Sequence, residues 1–97
     1  MYRIEYTTRA VEDLKWFEKP DQHQIIDGID VQLRHEPTVE TRNRKRLRPN
    51  PLAEWELRIG DFRVLYNADE AVNIVEILRI GEKRRGELYL RGEKEDL

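Results

Sequence analysis

Trp55-Glu56-Leu57-Arg58-Ile59-Gly60-Asp61-Phe62-Arg63-Val64-Leu65-Tyr66 is the most informative run of this chain. Trp55, Leu57 and Ile59 alternate with Glu54, Glu56 and Arg58. After Gly60-Asp61, Phe62, Val64 and Tyr66 alternate with Arg63 and Leu65. A side-chain period of two marks a strand with one buried face, and a Gly-Asp pair between two such runs marks a two-residue hairpin turn. Asn67-Ala68-Asp69-Glu70 reads as a second turn. The stretch from Ala71 to Ile80 is almost continuously apolar (Val72, Ile74, Val75, Ile77, Leu78, Ile80), as befits a central strand, and Gly81 is expected to end it. The face carrying Glu54, Glu56, Arg58 and Arg63 is expected to be open and charged. Trp55 and Tyr66 belong with the core.

Upstream, Tyr2-Arg3-Ile4-Glu5-Tyr6 alternates and predicts a short strand. Thr7 or Thr8 caps a helix whose first turns hold Glu12 and Asp13 and whose apolar stripe is Ala10, Val11, Leu14 and Phe17. Lys19-Pro20 ends it. Asp21 is the expected cap of a second helix, buried through Ile25, Ile26, Ile29 and Leu33 and closed by Pro37. Residues 36–50 lack apolar periodicity but allow a short strand near 45–48, and Pro49-Asn50-Pro51 is a turn. Residues 82–91 suggest a short helix. The prediction is an α+β fold, β-α-α-β-β-β, with a helical hairpin packed on one face of a small, mostly antiparallel sheet. One domain over residues 1–91 and an acidic tail over 92–97 are expected.

The chain has 97 residues and a formal net charge of -2, which suits one core. Without cysteine or serine, it has no disulfide, thiolate metal site or serine nucleophile. No run is long and apolar enough to span a membrane, and the N-terminus lacks a signal peptide's apolar segment, so a soluble cytoplasmic protein with no membrane partner is expected. The charge is uneven: residues 1–40 sum to -4, residues 41–91 to +4 and residues 92–97 to -2. Thirteen of the eighteen cations are arginine, whose planar fork matches phosphate and carboxylate, so the basic half suits a polyanion or an acidic partner.

His23 and His35 sit twelve residues apart on the second predicted helix, about 18 Å at 1.5 Å per residue, too far to serve one phosphate. No metal-ligand spacing or glycine-rich phosphate loop occurs, so neither metal nor cofactor is expected. Glu54 and Glu56 share a strand face and suit acid–base work on a ribose 2′-hydroxyl or, alternatively, cross-strand pairing with Arg58, Arg63 or Arg79. Arg58, Arg63 and the run Lys83-Arg84-Arg85, with Tyr89 beyond them, are candidates to hold a scissile phosphate and its developing charge. Arg42, Arg44, Lys45, Arg46 and Arg48 form a basic loop suited to a polyanion.

Leu47-Arg48, the hairpin from Trp55 to Tyr66, Ile77-Leu78-Arg79-Ile80-Gly81, Tyr89 and the opening Thr8-Arg9-Ala10-Val11-Glu12-Asp13-Leu14 together resemble the RelE/ParE toxin family, over about residues 2–90. The resemblance implies a RelE-like fold and the toxin of a bacterial type II toxin–antitoxin pair, neutralised by a small antitoxin. RelE-like members cut mRNA in the ribosomal A site without a metal, whereas ParE-like members inhibit DNA gyrase. It also implies roles for individual residues. Arg63 matches the phosphate-binding arginine and Arg58 a further basic position. Lys83 matches a transition-state arginine, with Arg85 as a nearby substitute, and Tyr89 matches a C-terminal tyrosine that orients the base. Glu54 and Glu56 depart from the pattern, since RelE carries lysines on this strand. Some relatives use a glutamate base from the preceding loop, near Lys45 here. Two classes of function follow: a metal-independent endoribonuclease acting on ribosome-bound mRNA, with Arg42–Arg48 on ribosomal RNA, or a non-catalytic binding protein, either a gyrase inhibitor or a homologue that retains only its antitoxin.

Overall fold

The computed structural model describes residues 1–97. Nine elements follow in order: β1 (Arg3–Tyr6), α1 (Thr8–Lys15), α2 (Lys19–Leu33), β2 (Arg44–Arg46), β3 (Trp55–Ile59), β4 (Phe62–Asp69), β5 (Ile74–Arg84), β6 (Glu87–Leu90) and β7 (Glu93–Glu95). One sheet runs β2-β3-β4-β5-β6-β7, and β1 pairs in parallel with the first half of β5. Every other pairing is antiparallel. The two helices cover one face, so the structure has the expected α+β architecture. No helix is long and apolar enough to cross a membrane.

The helix face holds the main core. Ala10, Phe17, Ile25, Ile29 and Leu33 meet Trp55, Leu57, Val64, Tyr66, Val75, Ile77 and Ile80. Thr7 caps α1 by accepting from the Ala10 amide at 3.1 Å. Pro20 lies in the first turn of α2, where a missing N–H costs nothing, so it opens the second helix rather than only closing the first. Glu18, not Asp21, stands at the cap, and Asp21 lies in the first turn. His23 and His35 are both exposed. The hairpin turn falls at Gly60-Asp61, with Gly60 at φ 57° and Ile59 opposite Phe62.

The second half differs from expectation in three ways. β4 runs on to Asp69, so the turn shifts to residues 70–73. β5 passes through Gly81 to Arg84. Gly81 is there for close approach: a Cβ would overlap the Tyr89 carbonyl oxygen. Residues 82–91 are a hairpin, not a helix. Arg85 (φ 51°) and Gly86 (φ 78°) form its two-residue turn, the left-handed pair that matches strand twist. Residues 93–95 of the expected tail add β7 to the edge.

The face away from the helices is not open either. Ala53, Leu65, Leu88 and Leu90 form a second small core there, flanked by Leu47, Leu52 and Leu78. The 47–53 loop and β6 thus cover the middle of this far face, leaving its charged residues at the ends.

Candidate functional site

Residues directly opposite on antiparallel strands share a face. The register sets Arg58 against Arg63, Arg63 against Gly81 and Lys45 against Glu56, with Lys83 two residues past Gly81 and opposite Leu88. Lys45, Arg58, Arg63 and Lys83 therefore lie on the far face around one carboxylate. Glu56 is only 5% exposed. Arg58 Nε donates to Glu56 Oε1 at 3.3 Å, and Arg63 Nε is 3.9 Å from the same oxygen. The Arg63 side chain is itself 11% exposed. Its Nη1 donates to the carbonyl oxygens of Gly60 (2.7 Å) and Phe62 (2.9 Å), whereas its buried Nε has no hydrogen-bond partner. Burial, reinforced by Arg58, pushes the Arg63 pKa down; Glu56 and Asp61 oppose that shift. Of the expected partners, Glu56 meets Arg58, two residues along its own strand, and Arg63 on the neighbouring strand, and not Arg79, which pairs with Asp13.

Glu56 and Lys83 also line a cavity of about 210 Å³ with Gly86, Leu88, Glu95 and Asp96. Arg85 is exposed at the adjoining hairpin tip. Tyr89 is not brought to this group. It lies opposite Glu82, on the helix side of the sheet, with the Arg84 guanidinium 5.1 Å from its ring centroid. The strand in place of the predicted helix causes this separation: on a strand, Tyr89 and its neighbour Leu88 must point to opposite faces.

The basic loop divides too. Arg44 Nε donates to the Val39 carbonyl, and Nη1 to the Gln32 carbonyl and side chain, which ties the loop to α2. Arg46 lies over Trp55 and 3.9 Å from Glu54. Arg42 and Arg48 are exposed and enter no ion pair. Lys45 alone faces Glu56.

Asp13, expected in the first turns of α1, is fully buried. Its carboxylate accepts from Arg79 Nε (2.7 Å), Arg79 Nη2 (3.1 Å) and the Ile80 amide (3.0 Å), and Arg91 Nε sits at 2.9 Å. The hydrogen bond to Asp13 holds the Arg79 guanidinium pKa above its usual value. A signal was present: Ala10, Asp13, Leu14 and Phe17 fall at i, i+3, i+4 and i+7, which puts a carboxylate on the apolar stripe.

The family model for the ParE toxin of the type II toxin–antitoxin system parDE matches residues 4–86. Among solved structures, the chain resembles one from the RelBE2 toxin–antitoxin complex of Mycobacterium tuberculosis, with 28% identity, a TM-score of 0.73, and 84% of this chain and 98% of that one covered. It shares its fold with a chain of the archaeal RelE–RelB complex of Pyrococcus horikoshii OT3, at 22% identity, a TM-score of 0.69 and coverage of 87% and 97%. The fold is also that of a chain of the heterotetrameric YoeB–YefM toxin–antitoxin complex of Staphylococcus aureus, at 22% identity, a TM-score of 0.60 and coverage of 80% and 92%. No curated protein matches by sequence. With the helical hairpin, the sheet order and a family match over most of its length, the chain belongs to the RelE/ParE family of type II toxin–antitoxin toxins.

Proposed function

We propose that this toxin acts in the cytoplasm as a ribosome-dependent mRNA endoribonuclease, held in check by a cognate antitoxin. The observation that carries the reading is the far-face cluster, in which Arg58, Arg63 and Lys83 gather around the buried carboxylate of Glu56. In-line cleavage needs these parts. The ribose 2′-oxygen attacks the adjacent phosphorus, its proton passes to a base, and charge builds on the phosphoryl oxygens as the 5′-oxygen departs and takes up a proton. Glu56, the carboxylate in contact with Arg58 and Arg63, serves as base. Arg63 and Lys83, with Arg58 assisting and Arg85 at the rim, supply the positive field for the phosphate. Arg42 and Arg48 remain free for ribosomal RNA. The antitoxin partner is inferred from the solved relatives, which are toxin–antitoxin complexes.

The test is mRNA 5′-end mapping shortly after the chain is induced without antitoxin. New ends within translated codons, absent in Arg63→Ala and Glu56→Gln, are expected. Two observations favour a second reading, inhibition of a protein target such as DNA gyrase: Arg63 Nη1 is already committed to two backbone carbonyls, and Tyr89 faces the other way. Growth arrest with intact mRNA and stalled gyrase would select that reading.

A further inference from the structure

The segment after residue 86 lies outside the family match and folds back as β6 and β7. Its last strand and the residue after it are acidic, with Glu93, Glu95 and Asp96 against Lys94, and Lys94 is engaged with Glu87 at 3.6 Å. The register carries Glu95 to Leu88 and Leu88 to Lys83, so the three residues form one row on the far face. Glu95 is thus two strand spacings from Lys83, about 10 Å between backbones. Glu95 and Asp96 line the cavity that holds Lys83 and Glu56, as does Glu87, which is paired with Lys94. No ion pair fixes Glu95 or Asp96 to Lys83. At an ionic strength of about 0.01 M the Debye length of about 30 Å exceeds this spacing, so the field of the two carboxylates reaches the cluster.

We propose that Glu95 and Asp96 are a built-in antagonist of the cationic cluster, carboxylates placed where the phosphates of a nucleic acid would otherwise sit. The inference rests on the reading of Arg58, Arg63 and Lys83 as phosphate ligands. It accounts for a chain that concentrates arginine in its central half and yet ends on net negative charge. β7 is held by one strand neighbour, and Glu95 and Asp96 line the cavity that holds Lys83, so these carboxylates compete with a polyanion wherever both are present.

The test measures binding of the full-length chain to a single-stranded oligouridylate at two salt concentrations. The variants are Glu95→Gln with Asp96→Asn, Lys83→Ala, and a control, Glu5→Gln with Glu76→Gln, which removes the same charge at the other end of the face. The Glu95/Asp96 double variant is expected to bind about fivefold tighter at low salt, with a steeper salt dependence. The gain should vanish when Lys83→Ala is added, and the control should change binding less than about twofold. An unchanged double variant, with Lys83→Ala weakening binding, overturns the antagonist and leaves the phosphate site standing. Equal tightening in the control also overturns it, since the effect would then be one of net charge. If neither Lys83→Ala nor Arg63→Ala alters binding, the phosphate site falls and the antagonist with it.

Discussion

Asp13 and Arg79, sixty-six positions apart, are joined by two hydrogen bonds of 2.7 and 3.1 Å across the boundary between α1 and β5. The pair sits where β5 changes neighbours, after β1 has stopped pairing with it at Ile77 and before β6 begins at Glu82. In that gap the Ile80 amide has no strand partner, and Asp13 supplies one. Arg91, at the β6–β7 turn, binds the same carboxylate, so one buried group ties the first helix to the central strand and the last hairpin. Removing it leaves a guanidinium and an amide without their acceptor. Asp13→Ala should cost about 3–5 kcal/mol in urea unfolding, the scale for breaking a buried pair. Arg91→Gln should stay within about 1 kcal/mol, because the Arg91 side chain is 38% exposed and solvent screens it.

Alkaline pH should weaken the fold through two tyrosines. Burial, then the Asp30 charge, pushes the Tyr6 pKa from 10.0 to about 12, with Arg34 opposing. Burial raises Tyr66 further, with Arg44 opposing, and its hydroxyl donates to the Pro37 carbonyl at 2.6 Å. Both raised values belong to the folded state. Above pH 10 the unfolded chain therefore releases these protons while the folded chain keeps them. Their contribution is complete below pH 10 and falls as pH rises towards each folded value. Unfolding free energy measured against pH should decline over pH 10–12, and Tyr6→Phe should flatten that decline. At neutral pH, Tyr66→Phe should cost about 1–2 kcal/mol for the buried carbonyl left unpaired.

Gly81→Ala should damage the C-terminal half selectively. The added carbon meets the Tyr89 carbonyl oxygen and, at 2.7 Å, a methyl carbon of Leu90. Backbone cannot give way as a side-chain end can, so β6 must shift off β5. A loss of about 1–3 kcal/mol is expected. Hydrogen exchange would report it as lost protection at the β5–β6 pairing, with the β3–β4 hairpin unaffected.

The β3–β4 hairpin was legible because its two signals agree: strict alternation from Trp55 to Tyr66, and a Gly-Asp turn between the runs. The helices were legible from their stripes. The β5–β6 hairpin was hidden because Arg85 adopts a left-handed conformation that an arginine does not advertise, while Lys83-Arg84-Arg85 looks helix-compatible. That error carried into the site. A helix over 82–91 can turn Tyr89 back towards Arg63; a strand paired at Glu82–Tyr89 cannot. Glu56 was visible as a surface charge, but its burial depends on the 47–53 loop and β6 closing over the far face, a tertiary event without a local pattern.

Arg63 and Tyr89 are both implied by family resemblance, but the sheet lies between them, and Tyr89 is paired with Arg84 instead. A single phosphodiester cannot touch both. Arg63→Ala should reduce mRNA cleavage by about 10²–10³, the usual loss for one transition-state donor. Arg63→Lys should fall between it and the native chain, because lysine keeps the charge without the planar fork. Tyr89→Phe should stay within about twofold of native. All three are scored by 5′-end counts at matched protein levels. If Tyr89→Phe matches Arg63→Ala while both variants remain folded, cleavage must use the helix face around Arg84, and the assignment of Glu56 and Lys83 to the reaction is wrong.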